Sequence, residues 1–286
     1  MNERQGKRML TASMVIFGTI GILRKYIPYA SAFVALVRGI VGAVFLLAVV
    51  LLKREKPDWL AIRKNGLLLL LSGAALGFNW ILLFESYGYT SVATATLCYY
   101  LAPILVILLS PALFGEKLTK KKILCTIAAF VGMVLVSGIL DTRFSGLSEL
   151  KGIGFGLAAA FLYACVMLLN KRITGIGPYD KTISQLAMAA LVMLPYVLLT
   201  EDLSDAQIAP LPVALLLVAG IVHTGIAYWL YFCSIGALKA QTVALYSYID
   251  PILAIVLSMV ILREPMNLCA SIGAVLILGA AFLSEQ

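Results

Sequence analysis

Apolar residues occur along this chain in long, nearly unbroken stretches that are separated by short polar segments. Ten such stretches can be delimited, and they cover residues 9–23, 30–52, 66–87, 91–114, 123–140, 152–170, 183–199, 212–234, 242–262 and 268–283. A helix of about 20 apolar residues spans the hydrocarbon core of a bilayer, whereas membrane strands would alternate in polarity. The pattern therefore predicts ten transmembrane helices, with no room between them for a further domain.

The composition supports an all-α integral membrane protein. Of the 286 residues, 62% are hydrophobic and 13% are charged, whereas soluble chains have about 45–50% apolar and about 25% charged residues. These proportions exclude a disordered chain, a secreted disulfide scaffold and a nucleic-acid-binding protein. The net charge of +8 is better explained by basic loops facing anionic lipid. The five cysteines lie within apolar stretches without C-x-x-C spacing, so neither a metal site nor a disulfide is predicted.

Lys and Arg residues are concentrated in alternate loops, which predicts an orientation. If the N-terminus is cytoplasmic, the basic segments 1–8, 53–64, 117–122 and 171–181 all face the cytoplasm, as does Lys239. The outer segments then hold fewer basic residues, namely Arg24, Lys25, Arg143, Lys151 and Arg263. By the positive-inside rule, we expect a multi-pass protein of the plasma membrane with both termini in the cytoplasm. The first stretch lacks a convincing cleavage site and is predicted to be a retained span.

The two halves of the sequence are related by an internal repeat at a constant offset of 148 residues. Identical residues at this offset are Phe84 and Phe232, Gly88 and Gly236, Thr94 and Thr242, Tyr100 and Tyr248, Pro103 and Pro251, and Glu116 and Glu264. Five spans per repeat is an odd number, so the second repeat must enter the membrane from the opposite face. We expect a first five-helix repeat at 1–140, an outer linker at 141–150 and a second five-helix repeat at 151–286. Such inverted repeats place a binding site between the halves near the bilayer midplane.

Two matched prolines are predicted to mark this site. Pro103 and Pro251 fall near the centre of the fourth apolar stretch of their repeats. Each proline removes a backbone donor and clashes with a preceding carbonyl, which frees polar groups at membrane depth. Free backbone groups are tolerated there only against protein or a water-filled cavity. A packed kink that binds no ligand is the alternative.

The motifs around these prolines resemble those of the EamA family of the drug/metabolite transporter superfamily. They are Leu101-Ala102-Pro103, Gly115-Glu116-Lys117, Tyr248-Ile249-Asp250-Pro251 and Arg263-Glu264-Pro265. The ten spans, the two repeats and the cytoplasmic termini fit the same family, as do Arg38 in the second span and Gln185 in the seventh. The resemblance implies a secondary transporter, often an exporter, of small metabolites such as amino acids. It does not identify the substrate.

Charged or ionisable groups within the spans are functional candidates because they are costly at membrane depth. Glu85 is predicted to bind a cationic amine or to carry a coupling proton; alternatively it reaches outer water or pairs with Arg24 or Arg143. Asp250 is the first candidate for proton coupling, although it could also be part of a structural break or pair with Arg38. His223 is either a proton carrier or a histidine that is hydrogen-bonded to a neighbour.

Aromatic side chains are predicted to form the wall of the cavity. Tyr99, Tyr100, Tyr246 and Tyr248 flank the two broken helices, and Trp80, Tyr163, Asn170 and Tyr228 could complete the wall. At about 100° per residue, Trp80, Phe84 and Tyr87 share one stripe of their helix, while Glu85 points away from it. Ordinary helix packing or an interfacial aromatic belt is the alternative.

The sequence favours a carrier over other classes of membrane protein. The glycine spacings lack the strand–turn–helix context and the lysine of a nucleotide site, so no cofactor is predicted. One histidine and scattered acids argue against an enzyme. The leading hypothesis is alternating-access export of a small polar organic metabolite, such as an amino acid or amine. The alternatives are a proton-coupled carrier of a cationic amine or quaternary ammonium solute, and a channel or sensor. The substrate, the coupling ion, the direction and the choice between monomer and homodimer stay open.

Overall fold

The computed structural model describes residues 1–90, 95, 98–137, 146–201, 209–261 and 268–283, and these residues form helices and short connections. The helices are α1 Glu3–Lys25, α2 Ser31–Leu52, α3 Trp59–Lys64, α4 Gly66–Tyr89, α5 Ala102–Phe114, α6 Lys120–Ser137, α7 Leu147–Arg172, α8 Pro178–Thr200, α9 Pro210–Gly220, α10 Ala227–Ala237, α11 Ala240–Tyr246, α12 Ile249–Ile261 and α13 Leu268–Leu283. A π-helical segment, Ile221–Ile226, joins α9 to α10. Within the described residues, each of the ten predicted apolar stretches contains helix.

Five helical segments in the described part of the chain are long and apolar enough to cross a membrane, namely α2, α4, α7, α8 and the continuous segment Pro210–Ala237. The shorter α5 is also apolar. Large apolar side chains on the outside of the bundle are exposed, among them Val44, Phe161 and Leu198. Exposed apolar faces of this kind suit contact with lipid. The predicted all-α membrane fold is therefore confirmed.

The helices extend beyond the apolar stretches at several ends. α1 begins at Glu3 and α8 at Pro178, so each adds polar turns that the apolar pattern does not include. The short α3 precedes the third span, and the Asp58 carboxylate caps it by accepting from the Ala61 N–H at 2.9 Å. The linker predicted at 141–150 lies partly outside the described residues, and from Leu147 onward its residues belong to α7.

The ninth span is interrupted, and the proline lies just after the interruption. α11 ends at Tyr246 and α12 begins at Ile249, so Pro251 falls in the first turn of α12. Pro103 lies equivalently in the first turn of α5, which begins at Ala102. The prolines were expected near the centre of a helix and instead mark the start of one. The first N–H groups of a helix have no intrahelical acceptor, so a proline at this position costs little.

Helix packing relates the two repeats by a two-fold axis. The spans of the first repeat are α1, α2, α4, α5 and α6, and their mates are α7, α8, α9–α10, α11–α12 and α13. α2 packs on its own mate α8, and α6 packs on its own mate α13. α1 packs on α10, and the mates of these two helices, α7 and α4, pack on each other in the same way. This exchange of partners requires two-fold symmetry, and five spans per repeat make the repeats inverted.

Candidate functional site

A cavity of about 230 Å³ lies between the two repeats. Seven of its lining residues are site candidates from the sequence: Arg38, Trp80, Tyr99, Tyr100, Tyr163, Tyr228 and Asp250. The remaining lining residues are Phe17, Ile20, Leu83, Phe84, Tyr87 and Ser247. Both repeats therefore contribute to the wall, and the two interrupted spans each contribute the residues nearest to their interruption.

The two interruptions meet at the two-fold axis. The Tyr248 hydroxyl donates to the backbone carbonyl of its repeat mate, Tyr100, at 3.1 Å. A pair of mates in direct contact must lie close to the axis that relates them. On either side, the backbone N–H groups of Leu101 and Tyr248 donate to carbonyls only three residues back, at 3.1 and 3.2 Å. These tight turns direct Tyr99 and its mate Ser247 into the same cavity.

Arg38 is a cation placed at membrane depth without a full set of partners. Its guanidinium carbon lies 4.9 Å from the centre of the Trp80 ring. The Tyr228 side chain lies within hydrogen-bonding reach of the same guanidinium. The Arg38 Nε atom is buried and has no hydrogen-bond acceptor in the described part of the chain. A buried donor without an acceptor is costly, so this arrangement favours an acceptor supplied by a ligand.

Asp250 provides a carboxyl group in the same cavity. It is in the first turn of α12, and the Tyr100 side chain lies within hydrogen-bonding reach. Arg38 and Asp250 both line the cavity, but no ion pair between them is present in the described structure. Among the described residues, no group of His, Cys, Asp and Glu could hold a metal ion. The cavity therefore offers one guanidinium group and one carboxyl group to a small solute.

Aromatic side chains form most of the wall between the guanidinium of Arg38 and the carboxyl group of Asp250. Tyr99 stacks on Tyr163 with ring centres 5.3 Å apart and planes 13° apart. Trp80 meets its repeat mate Tyr228 edge to face at 6.0 Å. The Tyr163 hydroxyl donates to the Tyr231 hydroxyl at 3.3 Å, so part of the wall is held in place by a neighbouring hydrogen bond. Such a wall can bury an apolar side chain or face an ammonium group.

A second cavity of about 240 Å³ extends the first toward one end of the bundle. The two cavities share Ile20, Arg38, Phe84 and Tyr87 as lining residues. The second also reaches Ile27 and Ser31, at the end where α1 finishes and α2 begins. We call this end the far face, and the end where α1 begins the N-terminal face. Arg38 lies seven residues into α2, which is about 10 Å along the helix from the far face.

The repeats are joined by polar contacts at the N-terminal face. The Glu116 carboxylate follows α5 and accepts from the backbone N–H groups of Ala240 and Gln241, at 2.8 and 3.3 Å. It also forms an ion pair with Lys171 at 3.4 Å. The Gln241 side-chain amide donates to the Ser110 hydroxyl at 2.8 Å. We call these five residues the inner latch, because they connect the first repeat to the start of α11.

Five of the predicted site residues are not part of the cavity lining, namely Glu85, Asn170, His223, Tyr246 and Tyr248. Glu85 accepts a hydrogen bond from the Tyr196 hydroxyl, between α4 and α8. His223 belongs to the π-helical segment, and its Nε2 atom lies 2.9 Å from the hydroxyl of Thr19 on α1. Tyr248 is fully buried, and Tyr246 is half-buried. Glu85 and His223 each form a hydrogen bond with a neighbouring helix and do not line the cavity.

Asn170 is also directed away from the cavity. Its side-chain amide donates to the Ser72 hydroxyl at 2.9 Å, and it exchanges hydrogen bonds with the Gln185 amide at 2.8 and 2.9 Å. All three side chains are fully buried. Lys181 is 5% exposed and donates to the Asn170 carbonyl at 2.9 Å. These residues connect α4, α7 and α8 and serve the packing of the bundle.

The lining residues that the sequence interpretation missed are mostly apolar. Phe17 and Ile20 are three residues apart on one face of α1, and Leu83 is three residues from Trp80 on α4. In apolar helices, position alone does not distinguish a cavity face from a packing face. Ser247 could have been found, because it is the repeat mate of Tyr99.

Comparison with known proteins agrees with this architecture. The profile of the EamA-like transporter family matches residues 6–138 and matches again at residues 150–285. The chain belongs to the EamA-like transporter family. Because the profile matches twice in succession, the two-repeat organisation is a property of the sequence as well as of the packing.

Relatives of this EamA-like transporter cover most of its length. The uncharacterized transporter YxxF of Bacillus subtilis is 33% identical over 283 residues, which is 96% of this chain and 88% of the relative. A Salmonella typhimurium protein named "Probable amino-acid metabolite efflux pump" is 27% identical over 181 residues, 60% of each chain. One crystal structure superimposes with a TM-score of 0.87 at 17% identity, covering 98% of this chain and 96% of the other. At that identity, the structural likeness shows the fold alone.

Proposed function

We propose that this transporter exports a small zwitterionic metabolite of the amino-acid class, by alternating access between its inverted repeats. The observation that carries the proposal is that Arg38 and Asp250 line one cavity without pairing with each other. A carboxylate would be bound by the guanidinium, and an ammonium group by the carboxyl and the tyrosine rings. The volume of about 230 Å³ is below that of pockets for drug-sized ligands, which supports a small solute.

The direction of transport is proposed from the shape of the pathway. The cavities extend to the far face, and the inner latch joins the repeats at the N-terminal face. With both termini in the cytoplasm of a plasma-membrane protein, this arrangement is an outward-facing state. Release of an exported solute would occur from such a state. The name of the Salmonella relative, which refers to efflux of an amino-acid metabolite, is consistent with this direction.

The proposal is tested by a thermal-unfolding screen of the purified full-length protein against amino acids, primary amines, carboxylic acids and nucleosides. A ligand that binds the folded state raises the unfolding temperature. We expect stabilisation by zwitterions and little by amines or acids that carry only one of the two charges. Stabilisation by nucleosides or by amines alone would contradict a zwitterion site.

The proposed orientation predicts which loops react with a membrane-impermeant thiol reagent. In a variant without the five native cysteines, a cysteine replacing Glu201 should be labelled in intact cells. A cysteine replacing Lys121 should be labelled only after the cells are opened, because the Lys120–Lys122 segment is predicted to be cytoplasmic. Labelling in the reverse order would place the termini outside.

A second candidate function is proton-coupled transport of a cationic solute, and Asp250 favours it. Asp250 is the one carboxyl group that lines the cavity among the described residues, and it lies beside the two-fold axis. A carboxyl group in that position could be reached from either side in turn. We expect Asp250→Asn to fold and to reduce the pH dependence of transport in proteoliposomes.

Glu85→Gln provides the matched comparison for Asp250→Asn. Glu85 lies outside the cavity and is bound to Tyr196, so its loss should leave the pH profile unchanged. If both variants keep the pH dependence of the wild type, transport is either uncoupled from protons or coupled through another group, and His223 becomes the next residue to replace.

A further inference from the structure

The second cavity, which adjoins the first at Arg38, is lined mainly by hydrocarbon side chains. Among the described residues that line it, three carry polar groups, namely Ser31, Arg38 and Tyr87. The others are apolar, and five of them line the second cavity but not the first: Leu23, Ile27, Val34, Ala35 and Ala219. The first cavity, in contrast, has five tyrosines, a serine and a carboxyl group in its lining. The two cavities therefore differ in the chemistry that they offer to a solute.

The apolar wall of the second cavity is already formed in this structure. Ile27, Val34, Ala35 and Ala219 are buried within the bundle. Ile27 and Val34 also pack with Leu216 in an apolar cluster that joins the start of α2 to α9. The cavity volume of about 240 Å³ is several times the roughly 30 Å³ that one water molecule occupies in the liquid. The space therefore admits a group of several carbon atoms.

The position of Arg38 determines how a zwitterion would lie with respect to the two cavities. Arg38 lines both of them, whereas Asp250 lines the first and not the second. A solute whose carboxylate is bound by the guanidinium and whose ammonium group faces Asp250 has its central carbon atom near the junction of the cavities. The two charged groups then lie toward the first cavity. The side chain on that carbon atom has the second cavity beside it.

We infer that the second cavity holds the side chain of the transported zwitterion, and that this side chain is a hydrocarbon group of about the size of that of leucine. A hydrocarbon group gains free energy when it leaves water for an apolar wall. A polar side chain would lose its contacts with water there and find few partners. The inference rests on the proposed function, because binding of the carboxylate by Arg38 is what places the solute at the junction.

The second cavity also leads to the far face, so its apolar lining has an alternative explanation. In that case the cavity is only a route for release and does not select among side chains. The two explanations differ in what they predict for ligands that share the zwitterionic group and differ in the side chain. A binding site for the side chain discriminates among such ligands, whereas a route treats them alike.

The first test measures the affinity of the purified full-length protein for glycine, alanine, leucine and asparagine by titration calorimetry. Each CH₂ group that is buried on binding contributes a factor of about four in affinity. We therefore expect leucine to bind at least tenfold more tightly than alanine. Asparagine, which has nearly the shape of leucine but a polar side chain, should also bind at least tenfold more weakly than leucine.

The second test fills the cavity and repeats the titrations. Ala219→Leu places a larger side chain at a buried position of the lining, so the affinity for leucine should fall to about that for alanine. The affinities for glycine and alanine should stay as in the wild type. Val218→Leu is the matched control, because Val218 is the neighbouring residue of α9, is exposed and does not line the cavity.

Leu23→Ala is a second variant that adds no volume, and it keeps the test decisive if Ala219→Leu folds poorly. Leu23 lines the second cavity and not the first. Its loss removes apolar contacts with a side chain in the second cavity, so leucine should bind several-fold more weakly. Alanine, whose methyl group is too short to fill the cavity, should bind as it does to the wild type.

The outcomes separate this inference from the proposed function. Equal affinity of the wild type for alanine, leucine and asparagine would overturn the inference and leave the zwitterion site standing. Equal weakening of all ligands by Ala219→Leu would mean that the cavity is only a route, and it would overturn the inference as well. Binding of simple amines or carboxylic acids in preference to every zwitterion would contradict the proposed function, and the inference would fall with it.

Discussion

Replacing Arg38 with Gln is expected to weaken binding of a zwitterionic substrate by about 30-fold or more without lowering the thermal stability of the unliganded protein. The loss of a buried charge-assisted contact costs about 2–5 kcal/mol, and about 1.4 kcal/mol corresponds to a tenfold change in affinity. The stability should hold or increase, because the Nε of Arg38 is buried without an acceptor in the described structure. Removal of an unsatisfied polar group relieves a cost to the folded state.

The measurement compares ligand-induced stabilisation and transport for Arg38→Gln, Arg38→Lys and the control Arg63→Gln. Arg63 is exposed on α3, so its variant should behave as the wild type. Arg38→Lys should bind more weakly than the wild type, because an ammonium group lacks the planar pair of donors that matches a carboxylate. If Arg38→Gln is instead strongly destabilised and still binds its ligand, Arg38 has a structural role and the zwitterion proposal is wrong.

The helices could be predicted from the sequence because lipid contact requires uninterrupted apolar surface. Every apolar stretch contains helix in the described residues, and the second repeat was evident from residues at one offset. That offset also indicated where the repeats meet, since Tyr100 and Tyr248 are in contact in the structure. The helix ends were less predictable. Polar residues such as Glu3 and Pro178 continue a helix beyond the membrane, where hydropathy carries no signal.

The orientation of side chains within the bundle could be predicted only in part. The angular argument on α4 separated Glu85 from the stripe that holds Trp80, and the structure places Trp80 in the cavity and Glu85 against Tyr196. His223 illustrates the limit of such reasoning. It lies in a π-helical segment, which contains more residues per turn than an α-helix. The helix face on which each later residue lies is therefore shifted, and a periodicity of 100° per residue does not include this shift. The hydrogen bond of His223 to Thr19 depends on tertiary packing.

The second large effect is expected from Glu116, which holds the inner latch closed. Its side chain is 8% exposed and accepts from two backbone N–H groups of α11 while pairing with Lys171. Removal of one partner of a buried ion pair costs about 3–5 kcal/mol. If that energy is lost only from the closed state, Glu116→Ala shifts the equilibrium toward opening at the N-terminal face by about 100-fold or more.

Spin labels replacing Lys117 and Lys239 would report this opening, because both positions are exposed and flank the contact between Glu116 and α11. The distance between the labels should be short and narrowly distributed in the wild type. Glu116→Ala should lengthen and broaden the distribution, with an intermediate result for Glu116→Gln, which keeps one acceptor. Glu55→Gln, an exposed acid outside the inner latch, should leave it unchanged.

The repeat supplies a further and independent comparison. Glu264 is the mate of Glu116 at the offset of 148, and it lies outside the described residues. Mates in inverted repeats act at opposite faces of the membrane. Glu264→Ala is therefore expected to favour the state that is open at the far face and to keep the Lys117–Lys239 distance as short as in the wild type. If both variants lengthen that distance equally, the two glutamates stabilise the fold as a whole, and the inner latch does not control access.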